Sequence, residues 1–294
     1  MILRELLQSA SHRLERASVE IPEQTARWLW QHVSGMSTHQ LILELQCEVT
    51  NEQATAFLAL VGRRECREPL QYVLEEADFA GLALYVDQRV LVPRPETEDL
   101  VALVGAALEA RAKANPNKRL NVMDLGTGSG AIAIALANRM ADSASCQLIA
   151  SDLSQDALDV AMINARRCHV EDRIDFLCGD GFSVIAKGEA LIDVLVANPP
   201  YIPVGDESLL QPEVRDYEPH LALFAGRDGL DAYRAIANAA PNYLAADATL
   251  FFEVGINQAE QVQALFRAAF PTARTQAYAD VQGILRVVMI QLHV

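Results

Sequence analysis

Cysteine is scarce. The 294 residues hold five, Cys47, Cys66, Cys146, Cys168 and Cys178. The number is odd and no two stand in Cys-x-x-Cys spacing, so neither structural disulfides nor a zinc site is expected, and a reducing, cytoplasmic setting is. Basic residues are also in short supply: 24 Lys and Arg against 39 Asp and Glu leave a net charge of −15. Stable attachment to nucleic acid or to an anionic membrane needs clusters of Lys and Arg, so neither is expected. A small recessed site that admits one base or one side chain stays open. Long hydrophobic runs are absent too. The apolar run at 131–137 is far short of the ~20 residues of a spanning helix. Met1-Ile2-Leu3-Arg4-Glu5 leads into no long apolar segment of the signal-peptide kind. Internal repeats and low-complexity tracts are also missing. Core material is abundant, with 51% of residues hydrophobic, enough for one large domain or two smaller ones.

The first 70 or so residues read as helices. Leu3, Leu6, Leu7, Ala10 and Leu14 recur at helical spacing. Pro22 interrupts, Ala26, Leu29 and Val33 mark a second helix, and Gly35 closes it. Thr50-Asn51-Glu52-Gln53 has the form of a capping box opening a third helix, with Ala54, Phe57, Leu58 and Val61 on one face. Residues 79–86 and 89–92 are β-prone and predict a hairpin turning at Asp87-Gln88. Pro93-Arg94-Pro95-Glu96-Thr97-Glu98 breaks that pattern, and Thr97 is the expected cap of a helix starting at Glu98. Beyond a polar connection at 112–118, strands and helices alternate, which signals a parallel α/β sheet. Strands are expected at 120–125, 147–150, 174–178, 191–197 and 249–254. Helices are expected at 131–140, 155–167, 229–244 and 258–269, and two strands close the chain, at 275–278 and 284–292.

The most informative stretch is Asn198-Pro199-Pro200-Tyr201. Two prolines cannot donate to a sheet, so the strand before them must stop at Asn198. Proline also holds the preceding residue extended. The side-chain oxygen of Asn198 and the backbone carbonyl of Pro199 are acceptors that together could hold both N–H hydrogens of a planar amine or amide nitrogen, and Tyr201 could stack on the group carrying it. Read alone, the same four residues also suit a plain turn.

Asp124-Leu125-Gly126-Thr127-Gly128-Ser129-Gly130-Ala131 lies between a strand and a helix. Glycines there permit a sharp turn and close approach of a ligand to backbone. The run also satisfies the looser G-x-G-x-x-A pattern, so on its own it fits a nicotinamide cofactor as well as S-adenosylmethionine. Asp152, at the end of the next strand, could accept from both ribose hydroxyls of an adenosine, or could simply cap a helix. Asp180-Gly181-Phe182 follows the third strand: Asp180 could accept from an adenine amino group and Phe182 could cover the ring, or the three could be a turn. Open α/β sheets bind ligands at the carboxyl ends of their strands, and Gly126, Thr127, Gly128, Ser129, Gly130, Asp152, Asp180, Gly181 and Asn198 all fall at such ends. An adenosine pocket beside a trapped nitrogen is the signature of methyl transfer; hydride transfer has no use for Asn-Pro-Pro-Tyr. Neither a metal nor a Ser/His/Asp triad is needed, and His169 and His220 look incidental.

These motifs together resemble a class I methyltransferase, specifically the release factor glutamine methyltransferase family. The resemblance spans essentially the whole chain. It rests on Leu91-Val92-Pro93-Arg94-Pro95-Glu96-Thr97-Glu98, the glycine loop, Asn198-Pro199-Pro200-Tyr201-Ile202 and Val214-Arg215-Asp216-Tyr217-Glu218-Pro219. Ala222-Leu223, Asp228-Gly229-Leu230 and Glu253-Val254-Gly255 with Gln258 add to it. Asn-Pro-Pro-Tyr is shared with adenine-N6 DNA methyltransferases, whereas the Pro-Arg-Pro-Glu-Thr-Glu and Tyr-Glu-Pro segments are far more restricted. The resemblance implies an α/β fold: a Rossmann-like class I methyltransferase domain (99–294) with a small N-terminal helical bundle (1–75) and a β-hairpin linker (76–98). It implies S-adenosyl-L-methionine as cofactor, held by Gly126 to Gly130 and Asp152. The implied substrate is the glutamine of a Gly-Gly-Gln loop in peptide-chain release factors, methylated at N5. Asn198 and the carbonyl of Pro199, in the rigid corner completed by Pro200, would bind the glutamine amide with Tyr201 packed against it. A sister family acting on a ribosomal protein, an adenine-N6 nucleic-acid methyltransferase and a non-enzymatic S-adenosylmethionine-binding module are the alternatives. The family often has Gly where Glu75 stands, Gly-Gly where Asp247-Ala248 stand, and in some members an aromatic at Gly181.

Overall fold

The computed structural model describes residues 1–140, 146–185 and 191–293. The chain forms two compact units, Met1–Glu76 with Leu210–Tyr217, and Ala77–Leu209 with Glu218–Val294. Val294, the end of the expected catalytic span, lies outside the described residues.

In the first unit, α1 (Leu3–Arg16), α2 (Pro22–Ser34), α3 (Thr38–Leu43), α4 (Asn51–Glu65) and α5 (Leu70–Leu74) surround one core. Helix α1 buries Leu3, Leu6, Leu7, Ala10 and Leu14, the stripe its spacing predicts. Pro22 begins α2, where its missing N–H has no intrahelical partner to lose. Gly35 ends that helix at φ +68°. Thr50 accepts from the Gln53 N–H, as the capping box predicts. Trp30 and Phe57 meet edge to face at the centre. Helices α3 and α5 are six and five residues long, too short to show a helical period in sequence. Glu75 caps α5 at φ +54°, which explains why glycine suits that position.

The second unit opens with β1 (Ala77–Phe79) and β2 (Leu82–Leu84). The turn lies at Ala80 (φ +50°) and Gly81 (φ +76°), where two positive φ angles match the strand twist. The hairpin predicted around Asp87-Gln88 is therefore corrected. Residues 85–92 form no ladder because other groups take their backbone partners. Asn164 accepts the Tyr85 N–H (2.6 Å) and donates to the Tyr85 carbonyl (2.9 Å), while Asp87 Oδ1 accepts the Arg89 N–H (3.0 Å).

From there run α6 (Thr97–Ala114), β3 (Leu120–Leu125), α7 (Ala131–Arg139), β4 (Cys146–Asp152), α8 (Gln155–Arg167), β5 (Ile174–Cys178), β6 (Ile192–Ala197), α9 (Pro212–Tyr217), α10 (Asp231–Ala239), β7 (Leu244–Glu253), α11 (Ala259–Ala269), β8 (Arg274–Ala279) and β9 (Leu285–Gln291). The sheet order is β5-β4-β3-β6-β7-β9-β8. Strands β3 to β7 are parallel, and β9 runs antiparallel to both neighbours. Helix α6 extends to Ala114, into the expected polar connection, whereas α10 stops at Ala239 because Pro241 forces a 3₁₀ turn at Ala240–Asn242. Strand β6 is buried throughout. Val194 and Val196 face the layer built with α6 and α7, and Leu195 and Ala197 face the layer built with α10 and α11. Burial on both faces is why this strand reads as an apolar run broken only by Asp193, which accepts from Lys118 and the Asn121 N–H. Since β3 pairs with β4 on one side and β6 on the other, the strand order reverses there. A crevice at the carboxyl ends follows from that reversal.

Helix α9 belongs to the first unit although its chain leaves and rejoins the second. Glu213 on α9 accepts from Arg64 Nη2 (2.7 Å) and from Arg67 Nε and Nη2 (2.7 and 2.6 Å). Tyr217 donates to the Cys66 carbonyl (2.6 Å).

Candidate active site

A cavity of about 570 Å³ opens at the carboxyl ends of β5, β4, β3 and β6, within the roughly 300–1,000 Å³ range of small-molecule sites. Gly126, Thr127, Gly128, Ser129, Asp152, Asp180, Gly181, Asn198, Pro199 and Pro200 line it. Of the residues singled out in the sequence, Gly130 and Tyr201 do not.

The glycine loop is pinned from below. The Gly126 and Thr127 N–H groups both donate to the Ser151 carbonyl (2.9 Å each). Gly126 (φ +76°) and Gly128 (φ +56°) have nothing within 4 Å of where a Cβ would stand, so the backbone there is bare toward the cavity. Gly130 (φ +82°) serves packing instead: an added Cβ would come within 2.8 Å of Ile134 Cδ1 and 3.1 Å of Ala161 Cβ. Under the loop, the fully buried Asp124 accepts from Thr127 Oγ1 (2.6 Å) and the Ala133 N–H (3.2 Å) through Oδ2. Desolvation pushes its carboxyl up to about 7, those two donors opposing the rise.

Asp152 accepts the Gly128 N–H on one oxygen and the Ser154 N–H on the other (2.9 Å each). Each oxygen keeps a lone pair for a further donor. The helix-capping alternative goes to Ser154, whose hydroxyl accepts from the Ala157 N–H. Asp180 is exposed at the rim, and Gly181 sits at φ +55°. Phe182 lines the cavity but stacks on Tyr243 (5.1 Å between centroids, 10° between planes), so one ring face is already covered.

Asn198 follows β6 where the prolines end it. Its Nδ2 donates to Thr97 Oγ1 (3.2 Å). Thr97 is not the expected cap: it is buried, its hydroxyl donates to Glu253 Oε2 (2.5 Å), and no side chain caps α6. The ring of Tyr201 packs against Gly255. Its hydroxyl donates to Glu253 Oε1 (3.4 Å), and Gln258 Nε2 donates to its carbonyl (2.9 Å). Desolvation, then the neighbouring Glu253 charge, holds the phenol well above its ordinary range, so it stays a donor. Glycine is required opposite: a Cβ at Gly229 would meet the Tyr201 carbonyl oxygen at 2.1 Å, and one at Gly255 would meet the ring at 3.1 Å. The Asp-Gly-Leu and Glu-Val-Gly…Gln segments thus form the backing of the proline corner.

Sequence reasoning missed the roles of three residues here. Thr97 and Glu253 meet across 156 positions, and Asn164 ties the Ser129 carbonyl to the Tyr85 backbone. A polar residue in an apolar helix pattern was the only available signal for Asn164. Arg94 Nη2 donates to both oxygens of the buried Glu218 (2.7 and 2.8 Å), which joins the Pro-Arg-Pro and Tyr-Glu-Pro segments at the wall of the cavity. Burial raises the Glu218 carboxyl despite that partner. Among the described residues, no group of His, Cys, Asp and Glu could hold a metal ion, and no helix is long and apolar enough to cross a membrane.

Two family models match: the PrmC N-terminal domain over residues 5–74 and the methyltransferase small domain over residues 106–210. The chain is 38% identical to a release factor glutamine methyltransferase of Streptococcus pneumoniae, over 99% of this chain and 98% of that one. It is 38% identical to one of Cereibacter sphaeroides, over 97% of each, and 36% identical to one of Bacillus anthracis, over 89% of each. Among solved structures it resembles the hMettl16 catalytic domain in complex with MAT2A 3'UTR hairpin 6, with a TM-score of 0.56 and 13% identity over 83% of each chain, a likeness of fold alone.

Proposed function

The chain belongs to the release factor glutamine methyltransferase family, and from that premise we propose that Asn198 and Pro199 grip the side-chain amide of the substrate glutamine while the glycine loop and Asp152 hold the cofactor. The enzyme methylates release-factor glutamine with S-adenosylmethionine as donor. The observation that carries the site reading is that Asn198, Pro199 and Pro200 line the same cavity as the bare glycine backbone and Asp152.

S-adenosylmethionine supplies a methyl group on a sulfonium sulfur. The glycine loop suits it: open space stands where Gly126 and Gly128 lack a Cβ, and both Asp152 oxygens face donors while keeping acceptor capacity for ribose hydroxyls. Asp180 and Gly181 form the adenine side. Across the cavity, Asn198 Oδ1 and the Pro199 carbonyl accept the two N–H hydrogens of the glutamine amide. An amide nitrogen is a poor nucleophile because its lone pair is delocalised. Two acceptors raise its electron density, fix its direction and stabilise the positive charge that grows on it as the N–C bond forms and the sulfonium S–C bond breaks, after which one of its N–H protons leaves to solvent. They also reject glutamate, whose carboxylate would face two acceptors with no proton between them. Tyr201 acts from behind, bracing the corner. The Gly-Gly-Gln loop of peptide-chain release factors is the acceptor segment, and N5-methylglutamine the product. Five unpaired cysteines suit a reducing cytoplasm.

Incubation with methyl-labelled S-adenosylmethionine tests the acceptor. Label is expected on the Gly-Gly-Gln glutamine of a release factor, and none on a Gln→Glu release factor, on unmodified DNA or on ribosomal protein. Label on DNA alone would overturn the reading.

A further inference from the structure

We infer that Thr97, with Glu253 behind it, is a positioning residue that fixes which way round the Asn198 amide points. This rests on the amide-trap reading above. An asparagine amide carries a donor and an acceptor of nearly identical shape, and only its hydrogen-bond partners decide between the two orientations. A trap for an N–H₂ group works in one orientation alone, with Oδ1 toward the substrate.

Thr97 Oγ1 has one proton and two lone pairs. Its proton goes to Glu253 Oε2, the shortest contact of the group at 2.5 Å. The hydroxyl is then an acceptor toward Asn198, 3.2 Å away, and Nδ2 must turn to it. The direction is set by Glu253, a buried carboxylate that has only acceptor capacity when ionised. Glu253 is itself held in place: Tyr201 donates to its other oxygen and Tyr233 to its backbone carbonyl (2.7 Å). The chain Glu253 ← Thr97 ← Asn198 therefore runs one way.

Protonation of Glu253 reverses it. The carboxyl proton is then donated to Thr97 Oγ1, the threonine proton turns to Asn198, and the amide rotates to offer Oδ1 to Thr97 and Nδ2 to the cavity, where it would repel the substrate N–H₂. Burial raises the Glu253 carboxyl above its ordinary range. The charged groups facing it are Arg286 from β9, which lowers it, and Glu96 from the turn before α6, which raises it; Thr97, Tyr201 and Tyr233 supply the neutral contacts.

The test compares Thr97→Val, which keeps the shape and removes the hydroxyl, with Thr97→Ser, which keeps the hydroxyl. The substrate is an unmodified release factor. In Thr97→Val, kcat is expected to fall at least about tenfold, the equivalent of one lost orienting hydrogen bond. The dissociation constant for S-adenosylmethionine, measured by calorimetry, is expected to stay within about threefold, since the glycine loop is untouched. Thr97→Ser restores kcat. The acid limb of the wild-type kcat profile, from Glu253, is lost in Thr97→Val. If Thr97→Val keeps wild-type kcat and its acid limb while Asn198→Ala is impaired, the relay is wrong and the trap stands. If Asn198→Ala is as active as wild type, the trap itself is wrong.

Discussion

Asn198→Ala isolates the chemistry of the proline corner from binding of the methyl donor. The substitution removes one of the two acceptors proposed to hold the substrate nitrogen and leaves the Pro199 carbonyl in place. On the protein side it takes a donor from Thr97, whose hydroxyl remains paired with Glu253, so the cost to the fold is about 1 kcal/mol or less. On the reacting side the loss is larger, because the contact strengthens as the nitrogen gains positive charge. Removing one preorganised partner of that kind costs about 3–4 kcal/mol, or roughly 10²–10³ in kcat. In the proposed site the methyl donor is held by the glycine loop and Asp152, which make no hydrogen bond to Asn198, so its affinity is expected to change by less than about threefold. Single-turnover methylation of a release factor at saturating labelled donor gives the first quantity, and titration calorimetry the second. A kcat within about threefold of wild type, or a loss wholly explained by weaker donor binding, would refute the two-acceptor mechanism.

Two further predictions concern stability. Glu213→Ala leaves the guanidinium groups of Arg64 and Arg67 without their carboxylate, Arg64 being 7% exposed; the first unit is expected to lose about 3 kcal/mol in urea unfolding, and a loss under about 0.5 kcal/mol would show that the clasp holds nothing. Asp124 works through pH. Its folded carboxyl titrates near 7 and its unfolded one near 4, so the native state binds the extra proton between those values and stability falls as pH rises through them. The fall is on the order of 2–4 kcal/mol. Asp124→Asn can still accept from Thr127 and Ala133 without the buried charge, so its melting temperature is expected to exceed wild type at pH 8 and to vary less from pH 5 to 8. An unchanged pH dependence would place the titrating group elsewhere.

What could be read along the chain was whatever local periodicity and backbone chemistry dictate. Helix α1 announces itself by spacing and α4 by spacing and a capping box, β3, β5 and β6 by short, mostly apolar runs, and the end of β6 by two residues with no N–H to offer. The cavity-lining residues were legible for the same reason, since glycine loops, terminal aspartates and Asn-Pro-Pro are local solutions to local demands. Pairing was not. The hairpin turned at Ala80-Gly81 rather than Asp87-Gln88 because a side chain 79 residues away, Asn164, took the backbone partners of Tyr85. Thr97 read as a helix cap because its real partner lies on β7. The Tyr201 ring packs outside the cavity lining because Gly255 leaves room for it. A hydrogen bond has a direction, and which of two equivalent directions it takes depends on the group at the far end of the chain of contacts. Composition and spacing therefore decided which acceptors this protein carries, and only the packing of β7 against α6 and the proline corner decided where they point.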